Sequence, residues 1–446
     1  AETRCEQRCE QLVRNHPMRS LRLCPVSRRV SAATTSQRAC LRHPRCSLST
    51  YGDLTAAALS EASSEGPSLD VLDALTEASP PQPVSISQMM LASGRTSPAV
   101  RLANAQFLRR ELASRRAHVL SLLRTMPPPL ASQPAVARLC VLNWQRLKGL
   151  LALPELSTAD DEKAFAAAML DHSAAIDGES RRWPHLSPEE EALCVDALGT
   201  LQREPHLAVD KQLDAIFLAR IGLRVLHEHY IRAVQPPRQG YAGAIQLECS
   251  PVALCEEAAA ATRQQLQQRY GAAPPVEVVG ERGHSFAFVP GHVRAVVGAL
   301  LFNSSVATLR HAALAAGGGR HQQHSFSGDE RLPAVRVIVA GGDDLVQVKL
   351  LDQAGGIRRS SLSNVWSYRA LDSAWWRPAD GLSLPLTRLF CQYFGGSLAL
   401  VPVEGVGTDC YVAFNRRAED NVEVILPRAR LRSSTGGIFD AQERRA

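Results

Sequence analysis

Asp352-Gln353-Ala354-Gly355-Gly356 follows directly on the alternating run Val346-Gln347-Val348-Lys349-Leu350-Leu351. A period-2 run that breaks into an Asp-led, double-glycine turn reads as a strand ending in a tight loop. Working outward, strand-like runs stand at Val276–Val279, Phe286–Val289, Val335–Ala340, Val346–Leu351, Ser397–Pro402 and Thr408–Phe414. Helical spacing covers Pro251–Arg269, Pro290 to about Ala316, and Leu384–Tyr393, the second closed by Gly317-Gly318-Gly319. Strands and helices grouped in this order predict an α/β sandwich rather than a doubly wound parallel sheet. Neither Gly-x4-Gly-Lys nor Gly-x-Gly-x-x-Gly occurs, so P-loop and Rossmann phosphate sites are excluded.

The first half has a different period. Apolar residues recur at helical spacing over Ser97–Arg124, Ala135–Leu151, Asp160–Ile176, Pro188–Gln202 and Val209–Ala233. Long amphipathic helices on short loops describe a helix bundle. Pro80-Pro81-Gln82-Pro83 and Pro236-Pro237-Arg238-Gln239-Gly240 bound it, because consecutive prolines cannot continue a helix. The expected organisation is a basic arm (1–52), an Ala/Ser/Glu-rich linker (53–79), a helical domain (80–236), a nucleotide-binding-type domain (237–416) and a tail (417–446). The class is therefore α+β.

Composition narrows the function. The chain has 446 residues and a formal charge of +6, yet residues 1–51 hold ten Arg against three Glu, which leaves the remainder at −1. A nucleic-acid binder would carry its basic surface on the folded body, so nucleic acid is an unexpected partner. Between Gln11 and Tyr51 lie eight Arg, six Ser and no Asp, Glu or Lys, the composition of an organelle transit peptide, and mitochondrial targeting is expected. No uninterrupted apolar run approaches the ~20 residues needed to span a bilayer, so integration into a membrane is not expected. Five cysteines fall in the arm and no Cys-x-x-Cys exists; Cys140, Cys194, Cys249, Cys255, Cys391 and Cys410 read as buried thiols.

Ordered motifs then carry a resemblance. Pro83-Val84-Ser85-Ile86-Ser87-Gln88, Phe107-Leu108-Arg109-Arg110-Glu111-Leu112, Asp214-x5-Arg220-Ile221-x2-Arg224, Val289-Pro290-Gly291-His292-Val293 and Gly407-Thr408-Asp409 look like the signatures of the mitochondrial 2-oxo-acid dehydrogenase kinases, the pyruvate and branched-chain family, over about residues 80–416. The resemblance implies a four-helix regulatory domain followed by an ATP-binding sandwich of the gyrase and histidine-kinase superfamily (GHKL). It also implies Mg-ATP or ADP as ligand, a mitochondrial matrix location and a dehydrogenase complex as partner.

Residue by residue, the resemblance implies a damaged site. Asp352 matches the carboxylate that accepts the adenine amino group, Gly356 a turn glycine beside it, and Thr408 the strand beneath the base. Where the family carries Glu-x-x-Lys-Asn, this chain reads Ala299-Leu300-Leu301-Phe302-Asn303. Asn303, the Mg²⁺ ligand, is kept; the base is replaced by Ala299 and a cation by Phe302. Ala379, Gly381 and Ser383 stand where the family has three phosphate-loop glycines, and the lid shortens to Ala370–Asp380 with Trp375-Trp376. His172 lies near a family histidine without its neighbours. Arg220 and Arg224, one turn apart, would bind an anion or pair with Asp214. The tail lacks the family's dimer-clasping segment.

Three functions follow from this reading: a mitochondrial pseudokinase serving as a binding or structural subunit, an active Ser/Thr protein kinase with Glu281 or a partner's residue as stand-in, or an adenine-nucleotide sensor that uses Asp352 and Thr408.

Overall fold

The computed structural model describes residues 51–60, 66–93, 97–177, 209–315, 332–368 and 383–425. The basic arm with its cysteines, Cys194, the expected helix at 188–202, the lid with Trp375, Trp376, Ala379 and Gly381, and residues 426–446 lie outside them. The described residues all belong to one compact unit, Leu48–Ala446.

The helical half contains α1 (Tyr51–Ser60), α2 (Leu69–Ala78), α3 (Ile86–Ala92), α4 (Pro98–Arg124), α5 (Pro128–Ala131), α6 (Pro134–Ala152), α7 (Ala159–Asp177) and α8 (Asp210–Val234). The 27-residue α4 is its axis: α2, α6, α7 and α8 pack on it. Its buried stripe includes Leu108, Leu112, Leu120 and Leu123. Prolines at the first turns of α4, α5 and α6 occupy positions whose N–H would have no intrahelical partner. The Ser85-Ile86-Ser87-Gln88 motif is a capping box: Gln88 N–H donates to Ser85 Oγ at 3.1 Å, and Ser85 N–H donates to Gln88 Oε1 at 2.8 Å.

The expected linker 53–79 is corrected by α1 and α2. Leu54, Ala58, Val71, Leu72 and Leu75 are buried in the main core. Leu69, Leu72 and Leu75 form an apolar stripe that the Ala, Ser and Glu content of the segment hides. The expected tail also begins too early, because Asn421 and Glu423 are buried against the helical half.

The second half contains β1 (Tyr241–Ala242), β2 (Ile245–Cys249), α9 (Pro251–Tyr270), β3 (Val276–Gly280), β4 (Phe286–Phe288), α10 (Pro290–Ala315), β5 (Val335–Gly341), β6 (Leu345–Leu351), α11 (Leu384–Tyr393), β7 (Ser397–Val403) and β8 (Gly407–Asn415). A small antiparallel sheet runs β1-β2-β4, and the main sheet runs β3-β5-β6-β8-β7 with only β3 and β5 parallel. One face is buried: Val337 pairs with Leu350, which pairs with Cys410, and Val348 pairs with Val412. Arg336, Gln347 and Tyr411 point the other way, as period-2 alternation requires. Among the described residues, α10 alone is long and apolar enough to cross a membrane, and 78% of its apolar window is buried inside the fold.

The halves are tied through charge. Arg115 on α4 donates to Glu423 Oε1 at 3.1 Å and Oε2 at 2.7 Å, to Glu111 Oε2 at 3.0 Å and to the Gln82 carbonyl at 3.0 Å. Glu423 also accepts from the Tyr393 hydroxyl and from Val84 N–H. Burial pushes the Glu111 carboxyl up, and Arg115 opposes that rise. Beside this network lies a narrow cavity of ≈ 20 Å³, lined in part by Arg115, His118, Ala219 and Tyr393, about the space of one water.

Candidate functional site

The loop after β6 is built around one buried carboxylate. Asp352 Oδ1 accepts from Ala354 N–H at 3.1 Å and from Thr408 N–H at 3.0 Å. Asp352 N–H in turn donates to the Thr408 carbonyl at 3.2 Å, so loop and β8 are laced together. Burial pushes the Asp352 carboxyl above the ordinary range, while these N–H donors and the Ser304 hydroxyl pull it down. Gly355 donates to the Val406 carbonyl and accepts from Gly405 N–H. At Gly356, φ is +70° and a Cβ would sit 2.3 Å from the Val403 carbonyl oxygen, so only glycine fits. The loop and the β7–β8 hairpin thus form one rigid ledge, and α10 runs beside it through Ser304 and His311.

The α10 side of the ledge is apolar. Ala299 is buried in the main core. Phe302, at 3% exposure, forms a satellite cluster with Leu266, Val306 and Leu309. From Ala295 to Leu309 the helix carries no charged side chain. Its polar atoms are neutral, and two have no partner: Asn303 Nδ2 and Ser305 Oγ. Ser383, at the N-terminus of α11, also keeps a buried hydroxyl without a partner and makes no side-chain cap. His292 is a core residue: its Nε2 lies 2.5 Å from the Phe390 carbonyl, rings surround it, and burial pushes its pKa down to about 4.

The structure brings Asp352, Gly356, Thr408 and, through its neighbour Ser304, Asn303 to one region. Gly381 lies outside the described residues, as do the side chain of His172 and its surroundings. Glu281 does not join them. It is exposed, pairs with His284 at 3.1 Å, and His284 packs against Gly341 at the start of the β5–β6 turn. Asp352 follows the opposite end of β6, about 20 Å away at a strand rise of ~3.4 Å per residue. Arg220 and Arg224 are half-buried on α8, remote in sequence from the ledge. Asp214 binds Arg388 at 3.5 Å and the Tyr368 hydroxyl at 3.0 Å. Asp210 holds Ser367 and the Tyr368 N–H. Sequence reasoning missed Ser304; adjacent serines inside an apolar helical run were the available signal. Cys140, Cys249, Cys255, Cys391 and Cys410 are buried and form no disulfide, and burial pushes Cys249, Cys255 and Cys410 up to about 12.

Among the described residues, the ledge offers an anchored carboxylate acceptor of the kind a base could use, and the α10 run Ala295–Leu309 beside it contributes an amide and hydroxyls. An antiparallel-rich sheet with a carboxylate loop, covered by helices and joined to a helical half, is the α+β arrangement expected from the sequence.

Residues 83–246 match the family model of the mitochondrial branched-chain alpha-ketoacid dehydrogenase kinase. A mitochondrial [pyruvate dehydrogenase (acetyl-transferring)] kinase of Arabidopsis thaliana is 29% identical over 354 residues, covering 75% of this chain and 90% of the relative. The Schizosaccharomyces pombe kinase of the same name is 31% identical over 226 residues, 46% of this chain and 50% of the relative. Human isozyme 4 is 25% identical over 365 residues, 77% and 83% respectively. The chain is thus similar to the mitochondrial dehydrogenase kinases over most of its length.

Proposed function

We propose that the chain is a mitochondrial pseudokinase of this family, acting from the matrix side as a binding or structural subunit of a larger assembly, with a 2-oxo-acid dehydrogenase complex as the first partner to test. The helical half, read as the family's four-helix bundle, would supply the docking surface. The observation that carries the reading is that Ala299 and Phe302 are packed into hydrophobic cores. These positions have been absorbed into the fold rather than left vacant for ATP chemistry. Losing a general base alone costs about 10²–10⁴-fold in rate, and the missing phosphate partners add to that loss. The position of Glu281 speaks against the active-kinase alternative. The intact carboxylate ledge supports a second reading, an adenine-nucleotide sensor without phosphoryl transfer.

The test is incubation of the purified full chain with labelled ATP, Mg²⁺ and a dehydrogenase complex. The expected result is no transfer of label to a dehydrogenase subunit. Transfer that an Asn303→Ala change abolishes would overturn the reading.

A further inference from the structure

The helical half turns one helix largely outward. α6 packs on α4, with lighter contact to α1 and α5, and buries Leu139, Trp144 and Leu147. At about 100° per residue its opposite side sets Arg138, Gln145, Gly149 and Ala152 along one line, all of them exposed. Lys148 stands to one side of that line and Arg146 to the other. Two features set this face apart from an ordinary solvated one. The first is charge: the helix carries three cations and no acidic residue. By contrast α4, α7 and α8 each answer a cation with a nearby carboxylate on the same helix, Arg115 with Glu111, Lys163 with Asp160 and Arg232 with Glu228. The second feature is Gly149. A glycine inside a helix is destabilising relative to alanine, and nothing lies within 4 Å of the place its Cβ would take, so no packing within the fold requires it. A missing side chain leaves room for another backbone to come close.

A second copy of the same face would set like charges against each other. An anionic membrane surface calls for bulky apolar side chains that enter the acyl boundary, and Leu139, Trp144 and Leu147 face the core instead. An acidic helix meets both features, its carboxylates reaching the cations and its backbone approaching over the glycine. Resting on the reading of the chain as a binding subunit, we infer that the outer face of α6 docks an acidic amphipathic helix of a partner protein. Arg138, Arg146 and Lys148 are its charge contacts, and Gly149 is the point of closest approach.

Fluorescence anisotropy of the purified full chain with a labelled amphipathic peptide helix, bearing Glu beside a stripe of Ala and Leu, tests this against the same peptide with Lys in place of Glu. The expected result is that the acidic peptide binds and the basic one does not. Combined Arg138→Glu, Arg146→Glu and Lys148→Glu is expected to weaken the acidic peptide about tenfold or more. Should that variant melt early, Arg138→Glu alone, at an exposed position, is expected to weaken it about threefold. Gly149→Leu is expected to weaken it severalfold while the melting temperature holds or rises, because leucine is the better helix former. Equal affinity for the two peptides, or undiminished affinity in Gly149→Leu, would overturn the inference. So would binding to cardiolipin-containing phosphatidylcholine vesicles, or self-association, that the charge-reversed variant loses while the acidic peptide fails to bind. A purified 2-oxo-acid dehydrogenase complex bound equally by the chain and by the charge-reversed variant would remove the assignment to α6 and leave the binding-subunit reading standing. Phosphate transfer to that complex would remove the pseudokinase reading and leave the peptide result as it is.

Discussion

Replacing Glu423 by Gln removes one charge from the network that joins the helical half to the sheet half. Arg115 is 4% exposed at its side chain and Glu423 0%, so neither charge has water to fall back on. The variant keeps one acceptor oxygen but presents an amide N–H₂ to Arg115 and to the Tyr393 hydroxyl or Val84 N–H. Removing one partner of a buried ion pair typically costs about 3–5 kcal/mol, most of it the cost of stranding the other charge. Glu111 stays bonded to Arg115 at 3.0 Å and relieves part of that, which places the expected loss near the lower end, about 3 kcal/mol. At ~2 °C or more per kcal/mol, the melting temperature should fall by about 6 °C or more. The control is Glu256→Gln, which breaks the exposed pair with Arg282 (side chains 40% and 76% exposed) and should cost at most about 1 kcal/mol. Urea unfolding of both variants at neutral pH gives the comparison. If Glu423→Gln costs no more than Glu256→Gln, the network is not what couples the halves.

Three further outcomes follow from named contacts. Phe302→Lys places an ammonium among Leu266, Val306 and Leu309 and should cost about 3 kcal/mol or more in urea unfolding while restoring no phosphoryl transfer. Gly356→Ala meets both a positive φ and the Val403 carbonyl, so about 2 kcal/mol or more of stability and the protection of the Gly355 and Gly405 amides from hydrogen exchange should be lost. Asp214, buried beside Arg388, has its pKa pushed up to about 6 from 3.8, desolvation outweighing the arginine. Between those values the folded chain holds a proton that the unfolded chain releases, so Asp214 favours the fold at low pH and that contribution fades as pH rises toward 6. Asp214→Asn should flatten the fall in stability over about pH 4–6 by on the order of 3 kcal/mol, and matching pH profiles for the two proteins would refute the assignment.

The elements that alternate or recur regularly were legible. Val335–Gly341, Ser397–Val403 and Leu384–Tyr393 stand within a residue of expectation, because each lies on a sheet or helix with one buried face. The short strands at Tyr241–Ala242 and Ile245–Cys249 were missed because Gly240 and Gly243 break the pattern before two full periods accumulate. The helices α1 and α2 were missed because a segment rich in Ala, Ser and Glu matches a linker in composition even when three leucines share one face. In the site, Asp352 and Thr408 were legible as motif positions, but nothing local to either predicts that a backbone N–H of one caps the carboxylate of the other across 56 residues. The burial of Phe302 has the same origin, since its neighbours Leu266 and Leu332 lie on other segments.

The Arg115–Glu423 bond spans 308 residues of chain. Glu423 is among the last described residues to be synthesised, and without it Arg115 would be left with Glu111 and the Gln82 carbonyl inside a low-dielectric interior. The packing of the first half is therefore complete only once Val422-Glu423-Val424 has been made and has closed onto it. Long-range closure of this kind is slow and keeps apolar surface open. A chain truncated before Glu423 is accordingly expected to keep the helical half less stable than it is in the full chain, with Arg115 left to Glu111 and the Gln82 carbonyl.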